Sequence, residues 1–164
     1  EHIAATHGRL VTDFRSSFIA SRAQLYAKSI HEKGAPLPHC VGFIDGTAIQ
    51  IARPVRGQRA CYSGHKRYHC LKFQSICTPD GLIFHIFGPM EGRRHDMLPY
   101  RESGIDEAFS SNLLIDSTQY YIYGDLAYIH RSWLQFGYKG SSLTPEQQEF
   151  NQRMSAVREG LEWG

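Results

Sequence analysis

No apolar run in this chain approaches the roughly 18 residues that crossing a bilayer as a helix requires. Paired cysteines are missing as well. Cys40, Cys61, Cys70 and Cys77 form no Cys-x-x-Cys unit, so the compact redox and zinc spacings are absent. Free and mostly buried thiols in a reducing compartment are the expectation. Neither sign of charge dominates: Lys plus Arg is 18, Asp plus Glu is 16, and the net charge is +2. That mild excess is compatible with nucleic acid without arguing for it. There is no internal repeat and no low-complexity stretch. With 41 % apolar and 21 % charged residues, a disordered tail, a collagen-like rod and a coiled coil are excluded. A chain of 164 residues has the length of one domain. It starts on Glu1, and its last residues from Arg158 continue a helical pattern, so it is expected to be a fragment of a longer protein.

What is present is a change of period along the chain. Leu10, Val11, Phe14, Phe18, Ile19, Leu25, Tyr26 and Ile30 are spaced by threes and fours. This predicts a helix over residues 9–32, ended by Gly34, Pro36 and Pro38. Cys40 to Ile44 reads as a short strand that stops at Asp45-Gly46, with a polar-interrupted continuation over 48–51. Residues 55–66, rich in Gly, Arg and Ser, are expected to form a loop. Tyr68 to Cys77 alternates as a strand, Pro79-Asp80-Gly81 is a turn, and residues 82–87 return as the second arm of a hairpin. Residues 96–109 read as helical with a break near Gly104. Residues 120–124 form a strand ending on Asp125. Residues 145–163 read as a helix with Thr144 as its cap and Pro145 in its first turn. This order predicts an α/β fold with a central mixed sheet.

Two acids stand where apolar strands end, Asp45 before Gly46 and Asp125 after Gly124. A single Asp-Gly of this kind is ordinarily a turn. Two of them on adjacent parallel strands would sit close enough to share a cation, and would repel one another without it. Mg²⁺ takes oxygen ligands and keeps several waters. Two such ions about 4 Å apart can activate a water and stabilise the leaving oxygen of a phosphodiester. The last helix offers Glu159 and Glu162 as a third carboxylate, three residues apart and near one face. Glu146 and Glu149 suit the helix dipole instead.

At these residues the chain resembles the DDE-type endonuclease domain of the PIF/Harbinger transposases and their domesticated relatives. The matching text runs from Gly42-Phe43-Ile44-Asp45-Gly46-Thr47 through the segment from Tyr62 to His69 and Lys72-Phe73-Gln74. It continues in the segment from Gly88 to Asp96 and in Gly124-Asp125-Leu126-Ala127-Tyr128. It closes with Phe150-Asn151 and with Ser155, Arg158 and Glu162 on the last helix. The resemblance implies an RNase H-like fold over residues 38–164, incomplete at its C-terminal end, with residues 1–37 as a helical upstream segment. It implies DNA cleavage and strand transfer with two Mg²⁺ (or Mn²⁺) ions held by Asp45, Asp125 and Glu162, the acid four residues after Arg158 being selected over Glu159. It also implies a nuclear location, a separate DNA-binding partner protein, and room for oligomer formation. His95-Asp96 matches a recurrent His-Asp pair just before a helix, where Asp96 reads equally as a helix cap.

Basic residues cluster after the first strand. Arg53, Arg56, Arg59, His65, Lys66, Arg67, His69 and Lys72, with Arg93, Arg94 and His95 after the hairpin, are interleaved with Tyr62 and Tyr68. This composition suits a phosphate-backbone surface, and no element announces base readout. Two other readings compete with a nuclease. One is a decayed or domesticated copy that binds DNA or a partner without cutting. The other is a zinc module from Cys61, His65 and His69, which are spaced by four, although their surroundings read as turn and strand rather than one helix.

Overall fold

The computed structural model describes residues 16–94, 97–126 and 128–162. Helix α1 (Ser16–Glu32) buries Ala23, Tyr26 and Ile30 along one stripe; residues 9–15 of the expected helix lie outside the described residues. It ends in a Schellman motif. Gly34, at φ +101°, donates to the His31 carbonyl at 2.9 Å, and Ala35 donates to the Ile30 carbonyl at 3.3 Å. Glycine suits this position because the left-handed region strains residues that carry a Cβ.

Strand β1 (Cys40–Gln50) does not stop at Asp45. It runs on because β3 (Tyr68–Cys77) pairs antiparallel with it from Phe43–Cys77 to Gln50–Cys70, and that ladder carries the backbone through Gly46. The expected loop over 55–66 is also partly ordered. It contains a short helix, α2 (Gln58–Cys61), and strand β2 (Tyr62–Ser63), which pairs with the start of β3 at Tyr68 and His69. Local composition reads as loop there, whereas the order comes from non-local pairing to β3. Strand β4 (Ile83–Glu91) completes the expected hairpin. The helical region beyond it splits at Gly104 into α3 (Met97–Glu102) and α4 (Ile105–Asn112). A two-residue turn at Asp116 and Ser117, both at positive φ, joins β5 (Leu114–Ile115) to β6 (Thr118–Gln119). Strands β7 (Tyr121–Gly124) and β8 (Leu134–Phe136) and helix α5 (Pro145–Glu162) follow. β8 carries too few residues to show a period.

Among the described residues, six strands form one sheet. β3 lies between β1 on one side and β2 and β4 on the other, while β7 and β8 extend the sheet beyond β1 in parallel. Successive residues of β1 and β7 serve opposite faces. Ile44 and Ile122 enter a core with Ala23 and Tyr26 of α1, Phe109 and Leu113 after the hairpin, and Trp133. Phe43 and Tyr123 enter a second core with Ile30, Ala35, and Met154 and Val157 of α5. This helix-flanked mixed sheet is the RNase H-like architecture that the resemblance implies. Helix α5 opens with a capping box: Gln147 N–H donates to Thr144 Oγ1 at 3.3 Å, and Thr144 N–H donates to Gln147 Oε1 at 3.0 Å. Among the described residues, no helix is long and apolar enough to cross a membrane.

The β3–β4 turn is tied to α1 through Asp80. Its carboxylate accepts from Thr78 Oγ1 at 2.6 Å, Tyr26 Oη at 2.7 Å and Leu82 N–H at 3.3 Å. Burial alone would raise the Asp80 pKa, but these hydrogen bonds outweigh it and hold it below its usual value. Its contribution to stability is therefore complete above the unfolded pKa of about 4 and disappears as pH falls through the lower folded value. Melting curves between pH 5 and pH 2 are expected to show a steeper loss for the wild type than for Asp80→Asn. Equal slopes would remove Asp80 from the acid response.

Candidate active site

β1 and β7 run parallel, with Phe43 beside Tyr123 and Ile44 beside Gly124. The next residue on each chain is an acid, so Asp45 and Asp125 follow one in-register pair. Their strands part there. Asp45 continues in the ladder opposite Ser75, whereas Asp125 opens a turn. In that turn the Asp125 carboxylate accepts from Leu126 N–H at 2.6 Å and its carbonyl accepts from Tyr128 N–H at 3.1 Å. The ordinary turn role and a ligand role thus fall on the same residue. Asp45 is half-buried and Asp125 is exposed.

The close approach of these strands depends on Gly124. A Cβ there would lie 2.7 Å from Ile44 Cγ2 and 3.1 Å from Tyr128 Cδ2. Gly124→Ala is expected to lower stability by about 1–3 kcal/mol, because the chain must shift to make room. Urea denaturation checks this, and an unchanged midpoint would show that the space is not tight.

Phe43, Asp45 and Thr47 share one face of β1. With Ser75, they line a cleft of about 410 Å³ beneath Arg158 and Leu161 of α5. Burial raises the Tyr123 pKa, with Arg158 opposing the shift and Asp125 adding to it; a guanidinium and a carboxylate therefore both act on that phenol. Glu162 is the last residue of α5, one helical turn past Arg158; its side chain lies outside the described residues, as do His95 and Asp96. Glu159 is exposed. Among the described residues, no three His, Cys, Asp or Glu side chains converge as a metal site. Cys61, His65 and His69 fall on a helix end, a turn and a strand rather than along one helix. The Cys40 thiol is fully buried, which pushes its pKa up to about 12 and leaves it a poor ligand and nucleophile.

The described basic residues fall in different places. Arg53, Arg59 and Arg93 line one open cleft of about 570 Å³ with Tyr62 and His69. Arg53 Nε donates to Gln58 Oε1 at 2.9 Å, which fixes that side chain across α2. His65, Lys66 and Arg67 form the exposed tip of the β2–β3 hairpin, held by Arg67 N–H donating to the Ser63 carbonyl at 2.8 Å. Arg94 is engaged internally, 3.1 Å from Glu91 and 3.4 Å from Glu102. Arg56 is exposed and is not among the residues lining the cleft.

Periodicity does not reveal what anchors the segment after Asp125. Asp106, in the first turn of α4, accepts from Tyr100 Oη at 2.7 Å, Arg131 Nε at 2.7 Å and Trp133 Nε1 at 3.2 Å. An acid at a helix start reads in sequence as a dipole partner, and nothing local shows that its partners lie so far along the chain. Phe150 and Asn151, quoted above only as matching text, prove to be packing residues. Phe150 meets Tyr123 and Tyr138 edge to face. Asn151 clamps the Tyr138 backbone through its N–H at 2.8 Å and its carbonyl at 3.0 Å.

A sequence model of the family described as DDE superfamily endonuclease matches residues 44–164. No curated protein and no solved structure matches the chain.

Proposed function

The chain belongs to the DDE superfamily endonucleases, and from that premise we propose that it cleaves DNA phosphodiesters at Asp45 and Asp125, with strand transfer as the companion reaction. Within the superfamily, the order and spacing of its motifs favour the PIF/Harbinger group. The observation that supports the reading is that each of the two acids lies one step past the Ile44–Gly124 pair of parallel strands. Paired carboxylates are hard oxygen donors that fit Mg²⁺ or Mn²⁺, with Glu162 as the third proposed ligand. Two such ions, when bound, would activate the attacking water or 3′-hydroxyl and stabilise charge on the leaving oxygen.

The protein's own residues supply position and charge. Arg158 brings positive charge to the cleft that Asp45 lines, which suits a phosphate there. The Arg53, Arg59 and Arg93 cleft and the hairpin tip suit the DNA backbone on either side. Recognition of a full target sequence is then a task for the proposed DNA-binding partner protein.

Supercoiled plasmid incubated with the protein in Mg²⁺, Mn²⁺ or EDTA tests this. Nicking is expected with either cation, none in EDTA, and a loss of about 100-fold or more in Asp125→Ala. Nicking that survives the substitution rejects the site. DNA binding with a steep salt dependence but no nicking by the wild type would favour the non-catalytic alternative.

A further inference from the structure

A further cavity, of about 270 Å³, is lined on β1 by Gly46, Thr47 and Ala48, just past Asp45. Gln74 of β3, only 1 % exposed, is among the residues that line it. Among the described residues, nothing hydrogen-bonds either its amide oxygen or its amide nitrogen. Burying an amide without partners is unfavourable. Gln74 cannot readily swing out to water, because its strand is paired on both sides, with Gly46 of β1 and Phe87 of β4. Gly46, which also lines the cavity, has no side chain to fill the space opposite.

The walls of the cavity are chemically specific. Lys72, two residues from Gln74 on the same face, lines it together with His65 and Lys66 of the hairpin tip, and Phe73 and Tyr128 add aromatic surface. The ligand that suits such walls has a donor and an acceptor side by side, a flat apolar body, and anionic charge nearby. A nucleotide unit of DNA has all three. Glutamine is matched to adenine, accepting from N6 and donating to N7.

We propose that this cavity is a base-reading subsite, in which Gln74 holds an adenine displaced from the stack beside the cleavage centre. The proposal rests on the DNA reading above. It adds a sequence preference from within the nuclease domain, where the linear text announced none. Lys66 and His65 would hold the flanking phosphates, while Lys72, whose Nζ donates to the Arg94 carbonyl at 2.7 Å, adds positive charge to the wall. Displacement from the stack is required because Gln74 is buried in the wall of a cavity rather than raised on a ridge that could enter a groove.

Short single-stranded thymidine tracts carrying one central dA, dC or 7-deaza-dA, bound in the absence of divalent cations and followed by fluorescence anisotropy, test it. The wild type is expected to bind the dA tract about five-fold or more tighter than the all-dT and dC tracts. The 7-deaza substitution, which deletes the N7 acceptor, should abolish most of that gain without altering the protein. Gln74→Met, of similar volume, should melt no lower than the wild type and bind all tracts alike. A dA preference that persists in Gln74→Met or with 7-deaza-dA overturns the assignment. So does binding with no base preference, or with preference for another base. Failure to bind any tract or plasmid DNA would instead reject the DNA reading on which the proposal stands.

Discussion

Asp45→Asn is expected to lower metal-dependent nicking by about two to three orders of magnitude while leaving the metal-free protein at least as stable as the wild type. The two halves of this expectation have one cause. Asp45 and Asp125 follow the same in-register pair of parallel strands; if they share the proposed cation, their charges would oppose each other without it, and the isosteric amide would relieve that repulsion. When Mg²⁺ or Mn²⁺ is added, the relation reverses. A ligand that binds only the folded state raises its melting temperature with concentration, and the wild type should gain while Asp45→Asn gains little. Melting curves across a cation titration read this without reference to activity. An equal cation-induced shift in both proteins would show that Asp45 holds no metal, whatever the nicking assay reports. A metal-free Asp45→Asn that melts well below the wild type would show that the carboxylate has a structural task in the sheet.

Trp133→Ala is expected to cost about 3–5 kcal/mol, a large part of the 5–15 kcal/mol that typically holds a domain folded. The indole is 1 % exposed and stacks on Phe109 at 4.8 Å between centroids, with Tyr100 beyond it at 6.3 Å. Its Nε1 donates to Asp106, and its carbonyl accepts from Ile122 N–H at 2.8 Å. The substitution therefore opens a cavity and removes one of the three donors to Asp106. Melting about 10 °C or more below the wild type is the expected reading. Trp133→Phe keeps a ring in the stack and should lose less than half as much. Because Trp133 closes the segment that begins at Asp125, residual nicking by folded Trp133→Phe should fall further than its stability does. A Trp133→Ala protein that melts within about 3 °C of the wild type would show that the stack contributes little.

Much of the molecule was legible because its signals are local. The alternation of Tyr68 to Cys77, the Pro79-Asp80-Gly81 turn, the break at Gly104 and the start of α5 at Thr144-Pro145 are each encoded within a few residues, and the structure places them as read. Elements made by distant partners were missed or shortened. β1 extends past Gly46 only because β3 supplies a ladder. β2 exists only where the start of β3 is left unpaired by β4. β8 has three residues and forms because β7 offers it a parallel edge. The same division runs through the site. Asp45 and Asp125 were identifiable as acids at the ends of apolar strands. The anchoring of the Asp125 segment by Asp106, and the unpartnered amide of Gln74, involve groups whose neighbours are far away in sequence.

The linear sequence by itself determined the fold class, the residue types of the candidate centre and the basic character of its surroundings, since apolar period, turn chemistry and charge are properties of short windows. Only the tertiary structure decided which strand lies beside which. It thereby set Asp45 and Asp125 each one step past the same strand pair, placed Arg158 at the cleft that Asp45 lines, took Arg94 into ion pairs with Glu91 and Glu102, and left the buried Gln74 amide without a hydrogen-bond partner among the described residues. Parallel pairing joins residues that no local rule connects, and burial is a property of the packed molecule rather than of any residue within it.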